Sequence, residues 1–124
     1  MVFAEYHYSG FGARAPADIV PMLADPSFAE RYVRGDTQIL LRHATGILAS
    51  YEQSPTFAYS GQWIETPTDR SGVLSPAATI TFNDRLSVYV ACYLPYGKPP
   101  LGAAFQSAYG VTPVALFSQA RVYF

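Results

Sequence analysis

The sequence predicts an all-β fold, built as an antiparallel up-and-down meander of about six strands. Apolar residues alternate with a period of two far better than with the 3.6-residue period of a helix, and turn sequences separate the alternating stretches. Neither a helical repeat nor a second domain is visible. We therefore expect residues 1–124 to form one unit.

The first strand is predicted at residues 2–8, where tyrosines and small apolar residues share one face and Glu5 and His7 share the other. A long loop rich in Gly, Pro and Asp follows at residues 9–36. Within it, the stretch DPSFAERYV predicts one short helix capped by Asp25 or Ser27.

The second and third strands are predicted at residues 37–52 and 56–65, joined by a tight turn at QSP. Their alternation places Ile47, Tyr51, Tyr59 and Trp63 on one face. The opposite face carries small and polar side chains.

The fourth strand, residues 73–82, contains Pro76, which weakens ladder pairing. The short turn NDR leads to the fifth strand at residues 86–94, and a second long loop spans residues 95–110. The sixth strand is predicted at residues 111–124. In the fourth and fifth strands the apolar and the hydroxyl-bearing positions again alternate.

Composition excludes several classes of function. The eight basic residues nearly cancel the nine acidic residues, so nothing indicates electrostatic binding of nucleic acid. The single cysteine, Cys92, excludes an internal disulfide framework and a cysteine-based zinc cluster. Half of the residues are hydrophobic and only 14% are charged, against roughly a quarter in soluble domains.

The first residues lack the pattern of a secretory signal, and no segment approaches the ~18 apolar residues of a membrane helix. The connections nevertheless alternate between longer and shorter. In a meander this places every longer loop at one end of the sheet and both tight turns at the other, as in outer-membrane barrels. Lys98, the only lysine, lies in a loop.

The segments ILASYEQSPTFAYSGQW and LSPAATITFNDRLSVYVACYLPYG are similar to hairpins of outer-membrane barrels, and SQARVYF is similar to their C-terminal assembly signal. In that signal Phe124 is terminal, and Val122 and Ala120 alternate behind it. Over essentially its whole length the chain thus resembles the C-terminal portion of a Gram-negative bacterial outer-membrane β-barrel protein of the porin type.

The resemblance implies a curved segment of a transmembrane β-barrel in the bacterial outer membrane, with residues 9–36 and 95–110 as external loops. It implies a porin-like channel or transporter for small solutes, with no enzymatic activity, cofactor or metal. The implied partners are the lipid bilayer and, through the C-terminal strand, the barrel assembly machinery. Six strands are fewer than the eight of the smallest single-chain barrels, so N-terminal strands of the same barrel are expected to be missing.

Two sets of residues follow from this interpretation. Seven polar side chains are predicted to face the barrel lumen, where charges can bias ion passage or pair with one another: Glu5, His7, Arg42, Glu52, Gln62, Gln119 and Arg121. Six aromatic side chains are predicted to lie at the membrane interfaces: Tyr6, Tyr8, Tyr51, Tyr59, Trp63 and Phe124.

Rival interpretations remain open. The aromatic face could instead surround an apolar ligand in a small soluble binding module of the lipocalin or sandwich type. The chain could also belong to an anchoring barrel without conductance. Smaller motifs are weaker indications: Glu5 and His7 as a proton relay or metal pair, His43 with Ser50 and Asp36 as a hydrolase triad, and RGD at residues 34–36 as an adhesion motif.

Overall fold

The computed structural model describes residues 1–34 and 39–123. Six strands form one sheet in the order β1-β2-β3-β4-β5-β6, and every neighbouring pair is antiparallel. The predicted all-β meander of six strands is therefore confirmed. The sheet is open, with β1 and β6 as its edges.

The strands have the following bounds: β1 Val2–Tyr8, β2 His43–Ser54, β3 Phe57–Thr66, β4 Ser71–Asn83, β5 Leu86–Tyr96 and β6 Ala115–Val122. Two strands, β2 and β6, start four or more residues later than predicted. Residues 39–42 precede β2, while residues 37–38 lie outside the described part of the chain, and residues 111–114 precede β6.

The long connection between β1 and β2 contains a 3-10 turn at Pro16–Asp18 and two helices, α1 at Ile19–Leu23 and α2 at Pro26–Val33. Helix α2 confirms the predicted short helix. Asp25 is its N-cap and accepts a hydrogen bond from the Ser27 N–H at 2.8 Å, while Pro26 occupies the first turn, where no donor is needed. Phe28 is the buried residue of this helix.

The buried apolar core lies among the loops and not between two layers of sheet. Leu41 and Ile19 are fully buried and form one cluster with Ala13 and Ala108, which come from the two long loops. Leu41 forms a bridge with Ala13 outside the main sheet. This explains why β2 starts late: residues 39–42 contribute to the loop core and not to the β1–β2 ladder.

The connections are distributed as the alternating lengths predict. The two-residue turns between β2 and β3 and between β4 and β5 lie at one end of the sheet, here called the tight-turn end. The described parts of the first loop, residues 9–34 and 39–42, lie at the other end, here called the loop end. The loop at residues 97–114 and the turn at residues 67–70 lie there too. Contacts between Asp69 and Ala108 and between Ala13 and Ala108 join these three connections.

Candidate functional site: two sheet faces and a loop-covered cleft

The register divides the strands into two faces, because directly opposed residues of antiparallel strands point to the same side. The apolar face carries the following residues: Val2, Ala4, Tyr6 and Tyr8 of β1, His43, Thr45, Ile47, Ala49 and Tyr51 of β2, Phe57, Tyr59, Gly61, Trp63 and Glu65 of β3, Gly72, Leu74, Pro76, Ala78 and Ile80 of β4, Leu86, Val88, Val90, Cys92, Leu94 and Tyr96 of β5, and Leu116, Ser118, Ala120 and Val122 of β6.

The polar face carries the alternate residues: Phe3, Glu5 and His7 of β1, Ala44, Gly46, Leu48, Ser50 and Glu52 of β2, Ala58, Ser60, Gln62, Ile64 and Thr66 of β3, Ser71, Val73, Ser75, Ala77, Thr79 and Thr81 of β4, Ser87, Tyr89, Ala91, Tyr93 and Pro95 of β5, and Ala115, Phe117, Gln119 and Arg121 of β6. His43 and Ser50 are thereby placed on opposite faces, so their side chains do not meet as a catalytic pair.

The apolar face is exposed over its whole breadth. Ile47 is 40% exposed, Ile80 37%, Val90 37% and Val122 55%, and no described element covers them. Among the strand residues just named for this face, Glu65 is the only carboxylate and there is no lysine or arginine. A continuous and nearly uncharged apolar surface of this extent is typical of sites that contact a membrane, another protein or a ligand.

Aromatic side chains on this face gather toward its two ends. Near the tight-turn end, the rings of Tyr51 and Tyr59 lie 5.4 Å apart, and Phe57 lies 6.1 Å from Tyr59. Near the loop end, the Trp63 indole N–H donates to the Tyr96 hydroxyl at 2.8 Å. The space between the two groups is filled mainly by aliphatic and small residues.

Tyr6 and Tyr8 complete the group at the loop end. Both rings pack against the imidazole of His43, and the Tyr6 hydroxyl hydrogen-bonds to its Nδ1. Among the six predicted interface aromatics, five therefore lie on the apolar face near one end or the other. Phe124 lies outside the described residues, as does Asp36 of the RGD motif.

A cleft of about 1130 Å³ lies on the polar face at the loop end. Its floor includes Glu5, His7 and Gln62 from the sheet, and α2 contributes Arg31 and other residues to its wall. The Arg31 guanidinium stacks over the Phe11 ring at 4.9 Å, which joins α2 to the start of the same loop.

The predicted lumen residues divide into three groups. Glu5, His7 and Gln62 line the cleft. Glu52 of β2 and Gln119 and Arg121 of β6 lie on the polar face but outside the cleft.

Arg42 lies outside β2, and its Nε donates to the Gly12 carbonyl at 3.0 Å. It therefore joins the start of the long loop to the segment that precedes β2, and it does not project from the second strand as predicted. Of the predicted assembly-signal residues, Ala120 and Val122 lie on the apolar face of the edge strand β6.

Sequence reasoning missed a buried polar cluster that ties the loop end together. Both carboxylate oxygens of Asp69 accept hydrogen bonds: Oδ2 accepts from the Ala108 N–H at 2.6 Å, and Oδ1 accepts from the Ser71 N–H at 3.0 Å and from the Thr66 hydroxyl. Thr66 and Ser71 are fully buried. Asp69 thus joins the β3–β4 turn to the loop between β5 and β6, which lies 39 residues further along the chain.

Ser107 extends this cluster into the second loop. Its buried hydroxyl donates to the Lys98 carbonyl at 2.8 Å and accepts from the Gly110 N–H at 3.0 Å. Gly97 has a positive φ of 157°, and a Cβ there would overlap Ser107 and Ser71. Glycine is therefore required where the chain leaves β5.

Tyr109 adjoins this cluster and lines the cleft. Burial, with smaller contributions from the nearby Tyr93 and Asp69, raises the pKa of Tyr109 to about 12. Its neutral form is therefore favoured in the folded state. The stabilisation that follows is complete below the unfolded pKa near 10 and is lost as the pH rises from about 10 to about 12.

We expect the loop end to loosen in that pH interval. Hydrogen exchange of the Ala108 and Gly110 amides, corrected for the intrinsic rate, should accelerate between pH 10 and 12 in the native chain and less so in Tyr109→Phe. Tyr123→Phe, which changes an exposed tyrosine, is the matched control and should behave as the native chain does. Identical curves for the native chain and Tyr109→Phe would contradict the assignment.

Within residues 1–34 and 39–123, no helix is both long and apolar enough to cross a bilayer. The same residues contain no group of three or more His, Cys, Asp or Glu side chains that could hold a metal ion. Comparison with protein-family models, with curated proteins and with solved structures yields no match to this chain.

Proposed function

We propose that this chain is a segment of an integral outer-membrane β-barrel, and that the complete barrel is a channel or transporter for small solutes. The observation that carries the proposal is the exposed, nearly uncharged apolar face of all six strands, back to back with a polar face. A lipid-embedded barrel needs this arrangement, with apolar side chains outside and polar side chains inside.

The second support is the placement of aromatic side chains. Rings with polar atoms lie toward both ends of the apolar face, Tyr51 and Tyr59 toward the tight-turn end and Trp63 toward the loop end. Aromatic side chains of this kind are enriched at the interfaces of membrane proteins. A strand of ten residues also has the length that a tilted transmembrane strand requires, and β3 has ten.

The polar face supports a passage for solutes. The residues that line the cleft include Glu5, His7 and Gln62 from the sheet and Arg31 from α2. The long loop folds over this end of the face and narrows the space above it. Groups of both charge signs in one passage favour small polar solutes over apolar ones.

The soluble binding module is the weaker alternative. Its apolar ligand would need an enclosed pocket lined by the aromatic face, but Tyr59 and Trp63 do not line the principal cleft, which lies on the opposite face. An anchoring barrel without conductance shares the apolar face with the proposed channel, and planar-bilayer recordings separate the two.

The single tryptophan gives a direct test of the apolar face. The chain is refolded from urea into vesicles of phosphatidylcholine that carries bromines at defined acyl positions. We expect the emission of Trp63 to shift to the blue and to be quenched, more strongly by bromines near the headgroup than by those near the chain end. This is because Trp63 lies near the loop end of the apolar face.

The matched control moves the indole by one residue, to the polar face, in the double variant Gln62→Trp, Trp63→Phe. Its emission should be quenched much less. Absence of quenching in both proteins would contradict the membrane assignment, and stronger quenching of the control would invert the two faces. A protein that stays monodisperse in water without detergent would also count against the proposal.

A further inference from the structure

We infer that the two free edges of the sheet join to each other between two copies of this chain, so that β6 of one copy pairs with β1 of the other. This inference rests on the proposed barrel, and in it a second copy of the chain supplies the strands that close the barrel. Six strands are too few to close a barrel, since the smallest single-chain barrels have eight. Two copies supply twelve, an even number within the known range.

The directions of the edge strands allow this pairing. Consecutive strands alternate in direction, so β1 and β6 run antiparallel to each other. If two copies stand in the same orientation around one axis, β6 of each meets β1 of the other as an antiparallel neighbour. A two-fold axis along the barrel then generates two identical seams.

At both edges of the sheet, the backbone N–H and C=O groups that remain free belong to even-numbered residues. Met1 and Ser50 exchange hydrogen bonds, so the odd-numbered residues of β1 face β2 and the even-numbered residues present their N–H and C=O groups outward. The Tyr123 N–H donates to the Arg85 carbonyl, so the even-numbered residues of β6 likewise point outward. Even-numbered residues of both strands lie on the apolar face, and pairing them keeps each face continuous.

Several registers pair even-numbered residues of β1 with even-numbered residues of β6, and charge favours one of them. Placing Ala4 opposite Val122 brings Glu5 directly opposite Arg121 on the polar face. Glu5 forms no ion pair with another described residue. Within residues 1–34 and 39–123, the Arg121 guanidinium hydrogen-bonds only to the amide oxygen of Gln119, at 3.3 Å. Opposite charges at directly opposed positions stabilise a strand pair, particularly at non-hydrogen-bonded positions, where side chains are closest.

The same register gives the tilt of a membrane barrel. A line drawn across the sheet at right angles to the strands joins directly opposed residues. Starting at Ala4, this line passes through Ile47, Trp63, Leu74 and Leu94. The register of β5 with β6, in which Tyr93 lies opposite Ala115, extends it to Val114. At the seam, where β1 of one copy pairs with β6 of the other, Ala4 lies opposite Val122, which is eight residues beyond Val114. A displacement of ~26 Å over six strands, which span ~29 Å, corresponds to a tilt of about 42°. Barrels in membranes have tilts of about 35–45°.

Disulfide trapping tests the seam in the full 124-residue chain. Ala4→Cys and Val122→Cys are combined in a Cys92→Ser background, because hydrogen-bonded antiparallel neighbours have Cα atoms about 5.5 Å apart, within disulfide range. After refolding into phosphatidylcholine vesicles and mild oxidation, we expect most of the protein to run as a covalent dimer. Phe3→Cys with Val122→Cys, whose side chains fall on opposite faces, is the matched control; it keeps both Glu5 and Arg121 and should run mostly as the monomer.

A charge exchange provides the second measurement. Glu5→Arg should reduce the dimer fraction about tenfold at low salt, because it places like charges at both seams, and Glu5→Arg with Arg121→Glu should restore it. Equal dimer fractions in the protein with both native charges, in Glu5→Arg and in Glu5→Arg with Arg121→Glu would overturn the register.

The outcomes separate this inference from the proposed function. A chain whose Trp63 is quenched by bromolipid but which forms no dimer would overturn the two-copy seam and leave the membrane assignment standing, with further strands of a longer chain as the partner. A cross-link within one chain would overturn it in the same way. Dimers that form in water and never enter vesicles would support the seam and contradict the membrane assignment.

Discussion

Replacing Val90 by arginine is expected to lower the free energy of unfolding in lipid vesicles by about 2–4 kcal/mol. Val90 lies in the middle of β5 on the apolar face, with 37% of its surface exposed. If hydrocarbon covers that surface, a guanidinium there must be desolvated or must draw water into the bilayer. Urea unfolding in vesicles, followed by Trp63 emission, measures the difference.

The adjacent residue gives the matched control. Ala91 belongs to the polar face of the same strand, where its cross-strand neighbours are Ala77 and Phe117. Ala91→Arg should cost less than about 1 kcal/mol, because the new charge points toward water. If Ala91→Arg proved as costly as Val90→Arg, or costlier, the polar face would be a packed interior and the assignment of the two faces would be wrong.

Replacing Asp69 by alanine is expected to cost about 2–4 kcal/mol, since a buried cluster loses its shared acceptor. The Ala108 N–H and the Ser71 N–H would lose their partner, and the Thr66 hydroxyl would lose one of its bonds. We expect the loop at residues 97–114 to detach from the β3–β4 turn, so that hydrogen exchange at Ala108 accelerates while exchange in β3 stays slow.

Two further variants sharpen this prediction. Asp69→Asn keeps one carbonyl oxygen as an acceptor and should cost roughly half as much. Asp84→Ala changes an exposed aspartate in the β4–β5 turn and should stay within about 0.5 kcal/mol of the native chain. Slow exchange at Ala108 in Asp69→Ala would show that the apolar loop core alone holds the second loop in place.

The strands were predictable because their signal is local. Alternation along residues 86–94 identifies β5 and both of its faces without knowledge of any partner strand. Pro76, the weakest point of the prediction, lies within β4 opposite Gly61. The ladder to β5 has no registered pair between Leu74 and Ala77, as expected where a residue lacks an N–H.

The loop end was not predictable from the same signal, because its contacts join distant segments without a period. Leu41 fits the alternation of a strand, yet it is fully buried against the long loop, and the strand begins only at His43. The turn sequence PTDRSG indicates that Asp69 can accept from Ser71, but nothing local identifies the Ala108 amide as its second partner. Arg42 was misplaced for the same reason.

The difference between the two ends of the sheet sets the order in which the parts of such a chain can fold in a bilayer. The tight-turn end carries two short turns between strands, with Asp84 and Arg85 as their charged residues. The opposite end, where the external loops are expected, holds two helices, a packed apolar cluster and most of the chain's other charged side chains. Carrying that end through hydrocarbon once it had folded would require dissolving the apolar cluster, so we expect the loop end to pack only after the strands have crossed.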